Sequence, residues 1–472
     1  MKKSILYILI VISIIGTYSC SEDNPVLTIE GGQIQGVRSD SGRVFIYKNV
    51  PFAAPPVGDL RWKEPQPVVP WNGVRIADKF GNAAYQAKHI EGQFYTKEFF
   101  WKGDAPYSED CLYLNIWTPS PGKINKKLPV AMWIHGGAYT GGWSFEPEMD
   151  GEAWAERGVV LVTINYRLGI FGFLAHPLLS EESPNHSSGN YGLLDQIAAL
   201  KWITNNISQF GGDPENITIF GQSAGAMSIQ TLVTSPLSKD IPAKAIIQSG
   251  GGISENPIIR NNDLQVAEES GKNLMDWAGY KNLTDMRSAS TEDIFSLINK
   301  YRTENRRYIS FSPIIDNYAL TEPFVTAAPE GHISDIPYMI GSTMDDLGNL
   351  GSGEDIGRFC LIREKQGGNA YAYQFARALP GDNSGAFHSS ELWFVFHTLQ
   401  RSWRPFTQGD YDLSNVMVDY WTNFAKYGDP NGESGQTWTP YTKDNKSFMI
   451  FKLEDGKEAS SMGQQVGRSL SR

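Results

Sequence analysis

One serine in this sequence stands between two glycines, at the point where a strand pattern changes into a helix pattern. The strand is residues 216–220 (NITIF), the motif GQSAG follows with Ser223 at its centre, and residues 226–229 are compatible with a helix. This order is typical of a nucleophile elbow, a strained turn that exposes the serine hydroxyl and whose glycines avoid collisions with neighbouring chain. The turn also directs a helix N-terminus toward developing negative charge. We therefore predict that Ser223 is a nucleophile.

A serine hydroxyl needs a base, which is normally a histidine that a carboxylate orients. After a nucleophile elbow the chain order is serine, acid, histidine. His332 would require an acid between residues 223 and 332, and His397 falls inside the helical pattern 391–399, where a packed or surface histidine is the simpler interpretation. His388 follows the last strand candidate in a loop and is the favoured base. The remaining four histidines precede Ser223 and do not fit the order: His89, His135, His176 and His186.

The acid is expected where a strand ends. Residues 338–341 supply such a strand, and Asp345 and Asp346 follow it. Either carboxylate could orient the imidazole and stabilise its charged form, while the other would cap a turn. The spacing leaves both open.

Backbone donors for a tetrahedral oxyanion are expected from an earlier glycine-rich strand exit. The strand 130–134 leads into the loop 135–139 (HGGAY), whose N–H groups, with that of Ala224, could face an oxyanion. Removing one such donor typically lowers the rate by ~10²–10³. The alternative is a structural glycine turn that binds nothing.

Apolar β-branched runs alternate with helical patterns along the chain, which predicts a mostly parallel sheet flanked by helices. Amphipathic segments at 193–203 and 413–425 predict helices, and 253–335 is a helix-rich candidate for a cap over the carboxyl edge of the sheet. No repeat or long linker divides residues 26–472, so we expect a single catalytic α/β domain. The strand candidates are 130–134, 159–164, 217–220, 245–247, 338–340 and 371–375, preceded by an antiparallel hairpin system at 26–37 and 43–47.

Charge and cysteine content exclude several kinds of partner. The formal net charge is -11 without a long run of lysine or arginine, so a nucleic-acid surface is not expected. No CxxC motif or Cys/His cluster suggests a metal site. Beyond the first twenty residues only Cys111 and Cys360 remain, and whether they pair depends on geometry that the sequence does not supply.

The N-terminus has the pattern of an export signal. Lys2 and Lys3 precede an apolar stretch at 5–16, which is short for a bilayer-spanning helix, although an uncleaved anchor is the alternative. Residues 17–20 (TYSC) resemble a loose bacterial lipobox, in which Cys20 would be acylated. We thus expect a signal peptide at 1–19, a polar tether at 20–25 and a cell-envelope lipoprotein, with a periplasmic or secreted protein as the alternative.

Several ordered motifs together resemble the type-B carboxylesterase family, which contains the cholinesterases and bacterial p-nitrobenzyl-type esterases. The resemblance extends from Ile29 to about Met449 and implies an α/β-hydrolase fold, with a mostly parallel central sheet, helices on both faces and a reduced helical cap. Its motifs are 50–56 (VPFAAPP), 109–115 (EDCLYLN), 135–139 (HGGAY), 165–167 (NYR), 210–214 (FGGDP), 223–226 (SAGA), 385–391 (GAFHSSE) and 421–425 (WTNFA).

The resemblance implies hydrolysis of carboxylic esters through an acyl-enzyme, without a cofactor. Together with the export signal, it leads us to expect a small-molecule or glycan-linked ester as the substrate. Carried over by position, the nucleophile is Ser223 and the base is His388. The family's acid, usually glutamate followed by glycine, falls on Asp346, although Leu347 replaces that glycine. The oxyanion donors fall on Gly137, Ala138 and Ala224. The alternatives are a non-catalytic binding or adhesion protein on the same scaffold, or an esterase specialised for acyl groups on polysaccharide.

Where the sequence departs from the family pattern, we expect the site to differ as well. Ala138 replaces a glycine, and its Cβ should narrow the acyl pocket. Ala84 stands where a disulfide partner of Cys111 is usual, so Cys111 should be free. The short interval between Asp346 and His388 should leave the site more open. Aromatic residues near the motifs are candidates for the pocket wall, with core packing as the alternative: Trp101, Tyr139, Trp143, Phe145 and Trp393.

Overall fold

The predicted strands from residue 43 onward lie in one eleven-stranded sheet, whereas the hairpin predicted at 26–37 lies mainly in a separate three-stranded sheet. The computed structural model describes residues 24–253, 263–432 and 436–465. The strands of the chain are β1 Val26–Ile29, β2 Gly32–Gln35, β3 Val37–Arg38, β4 Phe45–Pro51, β5 Val74–Ile76, β6 Ala83–Ala84, β7 Tyr107–Ser108, β8 Tyr113–Thr118, β9 Leu128–Ile134, β10 Val160–Ile164, β11 Gly212–Gln222, β12 Lys244–Gln248, β13 Tyr338–Thr343, β14 Ala370–Phe375, β15 Phe448–Phe451, β16 Leu453–Glu454, β17 Lys457–Glu458 and β18 Ser461–Gly463.

The order across the large sheet is β18-β15-β14-β13-β12-β11-β9-β10-β8-β4-β3. The strands from β15 to β10 in this order are parallel, whereas β8, β4, β3 and β18 pair antiparallel at the two sides. The carboxyl ends of the parallel strands therefore meet at one edge, where the predicted site residues follow β9, β11 and β13. Smaller sheets contain β1-β2-β5, β6-β7 and β16-β17.

Helices cover both faces of the large sheet. They are α1 Phe94–Phe99, α2 Glu152–Glu156, α3 Gly169–Phe173, α4 Pro177–Glu182, α5 Tyr191–Asn206, α6 Ala224–Thr234, α7 Leu264–Trp277, α8 Leu283–Ser288, α9 Thr291–Asn305, α10 Phe324–Glu330, α11 Gly353–Lys365, α12 Leu392–Val395 and α13 Gln408–Tyr427. Short 3₁₀ turns occur at Gly58–Leu60, Ile124–Lys126, Ile207–Phe210, Gly348–Gly351 and Leu399–Arg401.

The side chains of β9 show how the sheet divides the core. Val130 and Ile134 point to the cluster that also contains α5 and α6 residues, whereas Ala131 and Trp133 point to the cluster that contains α12 and α13 residues. Successive side chains of a strand face opposite ways, so a strand buried on both faces is apolar throughout. The expected α/β-hydrolase architecture, with helices on both faces, is confirmed.

Element bounds differ from the predictions at the ends. The helix predicted at 413–425 begins at Gln408, because Thr407 and Asp410 form a capping box. It ends at Tyr427, directly before Gly428, which has a left-handed φ of 71°. The helix expected through 391–399 is wrong in extent: α12 ends at Val395. His397 lies beyond it with φ of 55° and bonds to Ser414 on α13, as a packed histidine does.

The predicted helix-rich segment contains α7 to α10, but no described residue of 263–335 lines the cavity at Ser223. The walls of that cavity come from other segments. Within the described ranges, no helix is both long and apolar enough to span a bilayer. The signal, lipobox and tether expected at 1–25 lie almost wholly outside the described residues, since these begin at Asn24.

Candidate active site

Ser223 occupies a strained turn between β11 and α6. Its φ of 57° and ψ of −124° are rare for a residue with a side chain. No side chain fits at the flanking glycines. A Cβ on Gly221 would lie 2.6 Å from the Gly225 carbonyl carbon, and one on Gly225 would lie 2.0 Å from the Ile134 carbonyl oxygen. The Ser223 N–H donates to the Gln248 carbonyl at 2.9 Å, which ties the turn to β12. The geometry is that of the elbow expected from the motif.

Asp346 and His388 are brought together from two loops. His388 Nδ1 lies 2.6 Å from Asp346 Oδ1, and both side chains are buried. The same carboxylate accepts the N–H of Leu347 at 2.7 Å through Oδ1 and that of Thr343 at 3.2 Å through Oδ2. Burial opposes ionisation of Asp346, but the hydrogen bond and charge of His388 outweigh it and lower the pKa of the carboxyl. The pair therefore favours an ionised carboxylate beside the imidazole.

Asp345 acts on the backbone of the histidine loop. Its Oδ2 accepts the Ala386 N–H at 2.8 Å, and its own N–H donates to the Ala386 carbonyl at 3.0 Å. Gly385, with a left-handed φ of 74°, makes room, because a Cβ there would lie 2.3 Å from Asp345 Oδ2. Of the two aspartates that spacing left open, Asp346 contacts the imidazole and Asp345 holds the loop.

The other ring nitrogen of His388 faces the residue before the serine. His388 Nε2 lies 3.2 Å from the side-chain nitrogen of Gln222. An amide nitrogen can only donate, so it requires a lone pair on Nε2, and the ring proton then lies on Nδ1 and points at Asp346. In the described part of the chain, Ser223 Oγ has no hydrogen bond to His388. An unprotonated Nε2 next to the serine is nonetheless the arrangement that a general base requires.

Gln222 was not singled out from the sequence. Its position directly before the nucleophile is the signal that could have identified it, because the elbow turns neighbouring side chains toward one site. The turn thus presents both a hydroxyl and an amide beside the imidazole.

Three backbone N–H groups near the serine have no protein acceptor among the described residues: those of Gly137, Ala138 and Ala224. The HGG loop lies against the elbow, because a Cβ on Gly136 would be 3.1 Å from Ser223 Cβ. Gly137 and Ala138 have left-handed φ values of 101° and 54°. Successive N–H groups in such a turn form an anion-binding concavity, and the Ala224 N–H lies at the helix N-terminus.

A cavity of about 390 Å³ contains Ser223 and His388. Its aromatic wall comes from α1 and the next residue, where Tyr95, Phe99 and Phe100 line it. The Tyr95 hydroxyl also donates to the His388 carbonyl at 3.3 Å. Met149, Leu347, Leu350 and Leu392 add aliphatic side chains to the lining. The cavity suits a substrate with an apolar part.

The aromatic residues predicted for this wall are elsewhere. Trp101 is exposed, and Tyr139 and Trp393 are fully buried in the core. Trp143 and Phe145 line a neighbouring cavity of about 570 Å³. The actual wall belongs to the aromatic run 94–101 (FYTKEFFW), whose density of rings was the available signal.

A buried carboxyl group lies behind the histidine. Burial, and then the charge of Asp346, raise the pKa of Glu391 to about 7. Gln248 lies within 3.4 Å of Glu391 Oε1, and Trp421 Nε1 donates to Gln248 Oε1 at 3.0 Å. This acid therefore keeps its proton to a higher pH than an exposed glutamate does.

Metal and thiol chemistry are the other possibilities at such a site. No group of three or more His, Cys, Asp or Glu residues in the described ranges has an arrangement that could hold a metal ion. Cys111 and Cys360 are both buried and unpaired, and burial raises the pKa of each thiol. Neither thiol is therefore a nucleophile candidate.

Comparisons by sequence and by structure both find similarity to esterases. The model of the carboxylesterase family matches residues 23–354 and 355–467. Fumonisin B1 esterase of Sphingopyxis macrogoltabida is 41% identical over 331 residues, which cover 69% of this chain but only 57% of that esterase. Para-nitrobenzyl esterase of Bacillus subtilis (strain 168) is 32% identical over 488 residues, covering 91% of this chain and 95% of its own. A solved thermophilic PNB esterase has a TM-score of 0.79 at 29% identity, over 93% and 98% of the two chains.

Proposed function

Because this chain belongs to the carboxylesterase family and hydrolyses carboxylic esters, we propose that it does so through a covalent acyl-enzyme formed on Ser223. Its substrates are small-molecule esters, as the family implies. The observation that carries the proposal is the 2.6 Å contact between His388 Nδ1 and Asp346 Oδ1, at the wall of the cavity that contains Ser223. This contact leaves the Nε2 lone pair of the same ring available as a base.

Acylation begins when His388 Nε2 loses its contact with the Gln222 amide and accepts a hydrogen bond from the Ser223 hydroxyl. The imidazole then removes the proton of this hydroxyl. The serine oxygen then attacks the ester carbonyl carbon, and the carbonyl electrons move to oxygen. The N–H groups of Gly137, Ala138 and Ala224 donate to this oxyanion, and ionised Asp346 stabilises the imidazolium.

The tetrahedral intermediate collapses when the C–O bond to the alcohol breaks. His388 Nε2–H donates its proton to the departing alkoxide, so the alcohol leaves neutral. A water molecule then takes the place of the alcohol. His388 removes a proton from this water, and the water oxygen attacks the acyl carbon. The bond to Ser223 breaks, and His388 returns the proton to the serine oxygen. The products are an acid and an alcohol.

The test is Ser223→Ala, with turnover of p-nitrophenyl butyrate as the measurement. Loss of the nucleophile should lower kcat by about 10⁶, as triad removals do elsewhere. Ser296→Ala on α9, away from the cavity, is the matched control and should retain wild-type kcat. A Ser223→Ala protein with wild-type turnover would overturn the proposal.

We also propose that residues 1–19 direct export, that Cys20 is acylated at the cell envelope, and that 26–472 form one catalytic domain. Lys2 and Lys3, the apolar stretch 5–16 and the TYSC sequence support the first two points. The third point is supported by the large sheet, which joins β3 near the start of this range to β18 near its end. Metabolic labelling with an alkynyl fatty acid should mark the wild-type chain and not Cys20→Ala, and equal labelling of both would refute acylation at this residue.

A further inference from the structure

The aromatic wall of the Ser223 cavity is carried by a very short helix. α1 Phe94–Phe99 has six residues, and within the described ranges Gln93 at its start gives it no side-chain cap. A helix of this length is not stable alone, because it has too few internal hydrogen bonds to offset the cost of its first turn. The places of Tyr95, Phe99 and Phe100 in the wall therefore depend on contacts between α1 and the rest of the chain.

Glu98 anchors α1 to the core. Its buried carboxylate accepts the Trp393 Nε1–H at 2.9 Å through Oε1 and the Trp403 Nε1–H at 3.1 Å through Oε2. Arg404 completes the contacts, with Nε at 2.9 Å from Oε1 and Nη2 at 2.9 Å from Oε2. Glu98 is not among the described residues that line the cavity, whereas its neighbour Phe99 is. The carboxylate thus acts on the cavity wall through the helix that carries it.

Arg404 connects the same carboxylate to the loop of His388. Its side chain is fully buried. Nη1 donates to the Pro380 carbonyl at 2.9 Å and to Asp382 Oδ1 at 3.0 Å, and Nη2 donates to Asp382 Oδ2 at 3.2 Å. The guanidinium carbon also lies 5.2 Å from the centre of the Phe387 ring, directly before His388. One side chain therefore joins α1 to the loop that carries the base.

α1 and the histidine loop also meet directly beside the cavity. The Phe94 ring packs edge-on against the Phe387 ring, with centroids 4.8 Å apart, and the Tyr95 hydroxyl bonds to the His388 carbonyl. Phe94 and Tyr95 are exposed, whereas the Glu98–Arg404 pair is buried. The ion pair is thus the enclosed part of the junction.

Stability alone is a weak explanation for this ion pair. Moving two charges from water into the interior is costly, and apolar residues of similar size often stabilise a fold as well or better. An apolar pair cannot supply direction. The guanidinium of Arg404 presents five N–H donors in a rigid plane, and each of its nitrogens has an acceptor here. Such a pair fixes the distance and the angle between the segments that it joins.

We propose that Glu98 and Arg404 are positioning residues, which hold the aromatic wall of α1 at a set distance from His388 and so determine how large an apolar group the ester can carry. This inference rests on the proposed function, because it assigns the selectivity of the same cavity. Neither side chain is among the described residues that line the cavity, so both act through the segments that they join.

The test measures size selectivity in Glu98→Gln, which keeps the shape of the side chain but removes the charge that Arg404 meets. The acyl pair is p-nitrophenyl hexanoate and p-nitrophenyl acetate, and the alcohol pair is benzyl butyrate and methyl butyrate. In at least one pair the wild-type chain should favour the larger ester in kcat/KM, and Glu98→Gln should lower this large-to-small ratio about tenfold or more. The change should appear mainly in KM, because the wall contacts the apolar group of the substrate rather than the bond that breaks.

Asp410→Asn is the matched control for a loss of stability alone. Asp410 is fully buried and paired with Arg377 at 2.7 Å, much as Glu98 is paired with Arg404. It lies in the first turn of α13 and is not among the described residues that line the cavity. This variant should lose free energy of unfolding in urea and keep the wild-type ratio. If Glu98→Gln does not fold, Trp403→Phe removes one donor to the same carboxylate and should change the ratio in the same direction.

A second readout does not depend on turnover. Amide hydrogen exchange in the peptide that contains α1 should be faster in Glu98→Gln than in wild type, and unchanged in Asp410→Asn. Unchanged exchange in Glu98→Gln, a wild-type ratio in both of its ester pairs, or an equal change of ratio in Asp410→Asn would each overturn the positioning role. Failure of the wild type to hydrolyse any of these esters would instead count against the acyl-enzyme proposal, and the exchange comparison would still decide whether Glu98 holds α1.

Discussion

The Ala386 N–H donates to the carboxylate of Asp345 at 2.8 Å, and the Asp345 N–H returns a bond to the Ala386 carbonyl. This reciprocal pair joins the loop of His388 to the loop of Asp346, two segments whose site residues are 42 positions apart. Adjacent aspartates therefore have separate tasks: Asp345 fixes the backbone, and Asp346 meets the imidazole.

Asp346→Asn should lower kcat for p-nitrophenyl butyrate by about 10⁴. An amide in this place cannot stabilise the imidazolium and can hold the wrong tautomer of His388. The measurement is steady-state kinetics, with circular dichroism to show that the variant is folded. Retention of kcat within tenfold would remove Asp346 from the mechanism.

Asp345→Asn is the matched comparison, because it changes the neighbouring carboxylate in the same way. It weakens the bond to the Ala386 N–H, so we expect the free energy of unfolding in urea to fall by about 1 kcal/mol. Its loss of kcat should be much smaller than that of Asp346→Asn. The reverse order of the two kcat values would exchange the roles given to these residues.

Gly225→Ala should destabilise the chain by about 1–3 kcal/mol and lower kcat with it. The new Cβ would lie 2.0 Å from the Ile134 carbonyl oxygen, which is backbone of β9, so the elbow has to move. Gly463→Ala is the control, since a Cβ there meets nothing within 4 Å. Urea unfolding and p-nitrophenyl butyrate kinetics measure both effects, and equal stability of the two variants would show that the elbow tolerates the methyl group.

Glu391→Gln should change the pH dependence of stability. Burial, and then the charge of Asp346, raise the pKa of Glu391 from its ordinary 4.5 to about 7. Between these values the unfolded chain ionises this group while the folded chain keeps the proton, so the group increasingly favours the unfolded state. The stability of Glu391→Gln relative to wild type should therefore rise by about 3 kcal/mol between pH 4.5 and pH 8.

Urea unfolding at several pH values measures this difference. Glu354→Gln, at an exposed position, should track the wild type throughout. A Glu391→Gln curve parallel to that of the wild type would show that the glutamate ionises normally in the folded chain.

Sequence reasoning reached furthest where a local pattern carries the prediction. Ser223 was predicted as the nucleophile because a strand, two glycines and a helix surround it, and His388 was predicted as the base because chain order eliminated other histidines. The strands were found from their apolar runs, since β9 and its neighbours are buried on both faces.

The contacts that complete the site were beyond sequence reasoning because they depend on distance in space. Asp345 and Asp346 follow the same strand, so spacing left both open, and only the family resemblance favoured Asp346. The path of the loop decides which one meets the ring. The position of Gln222 before the nucleophile marks it as a neighbour of the site, but it does not give the distance from its amide to His388. The aromatic wall at 94–100 was missed because it packs beside the site from a segment with no recognisable motif.

The most direct test of the account is to treat the wild-type chain with a fluorophosphonate, then measure the intact mass and map the modified peptide. We predict one phosphonyl adduct per chain, on Ser223, accompanied by loss of esterase activity, and no adduct on Ser223→Ala. An unlabelled wild-type chain, as a non-catalytic binding protein would give, or an inactivating adduct on a different serine, would contradict the assignment of the nucleophile.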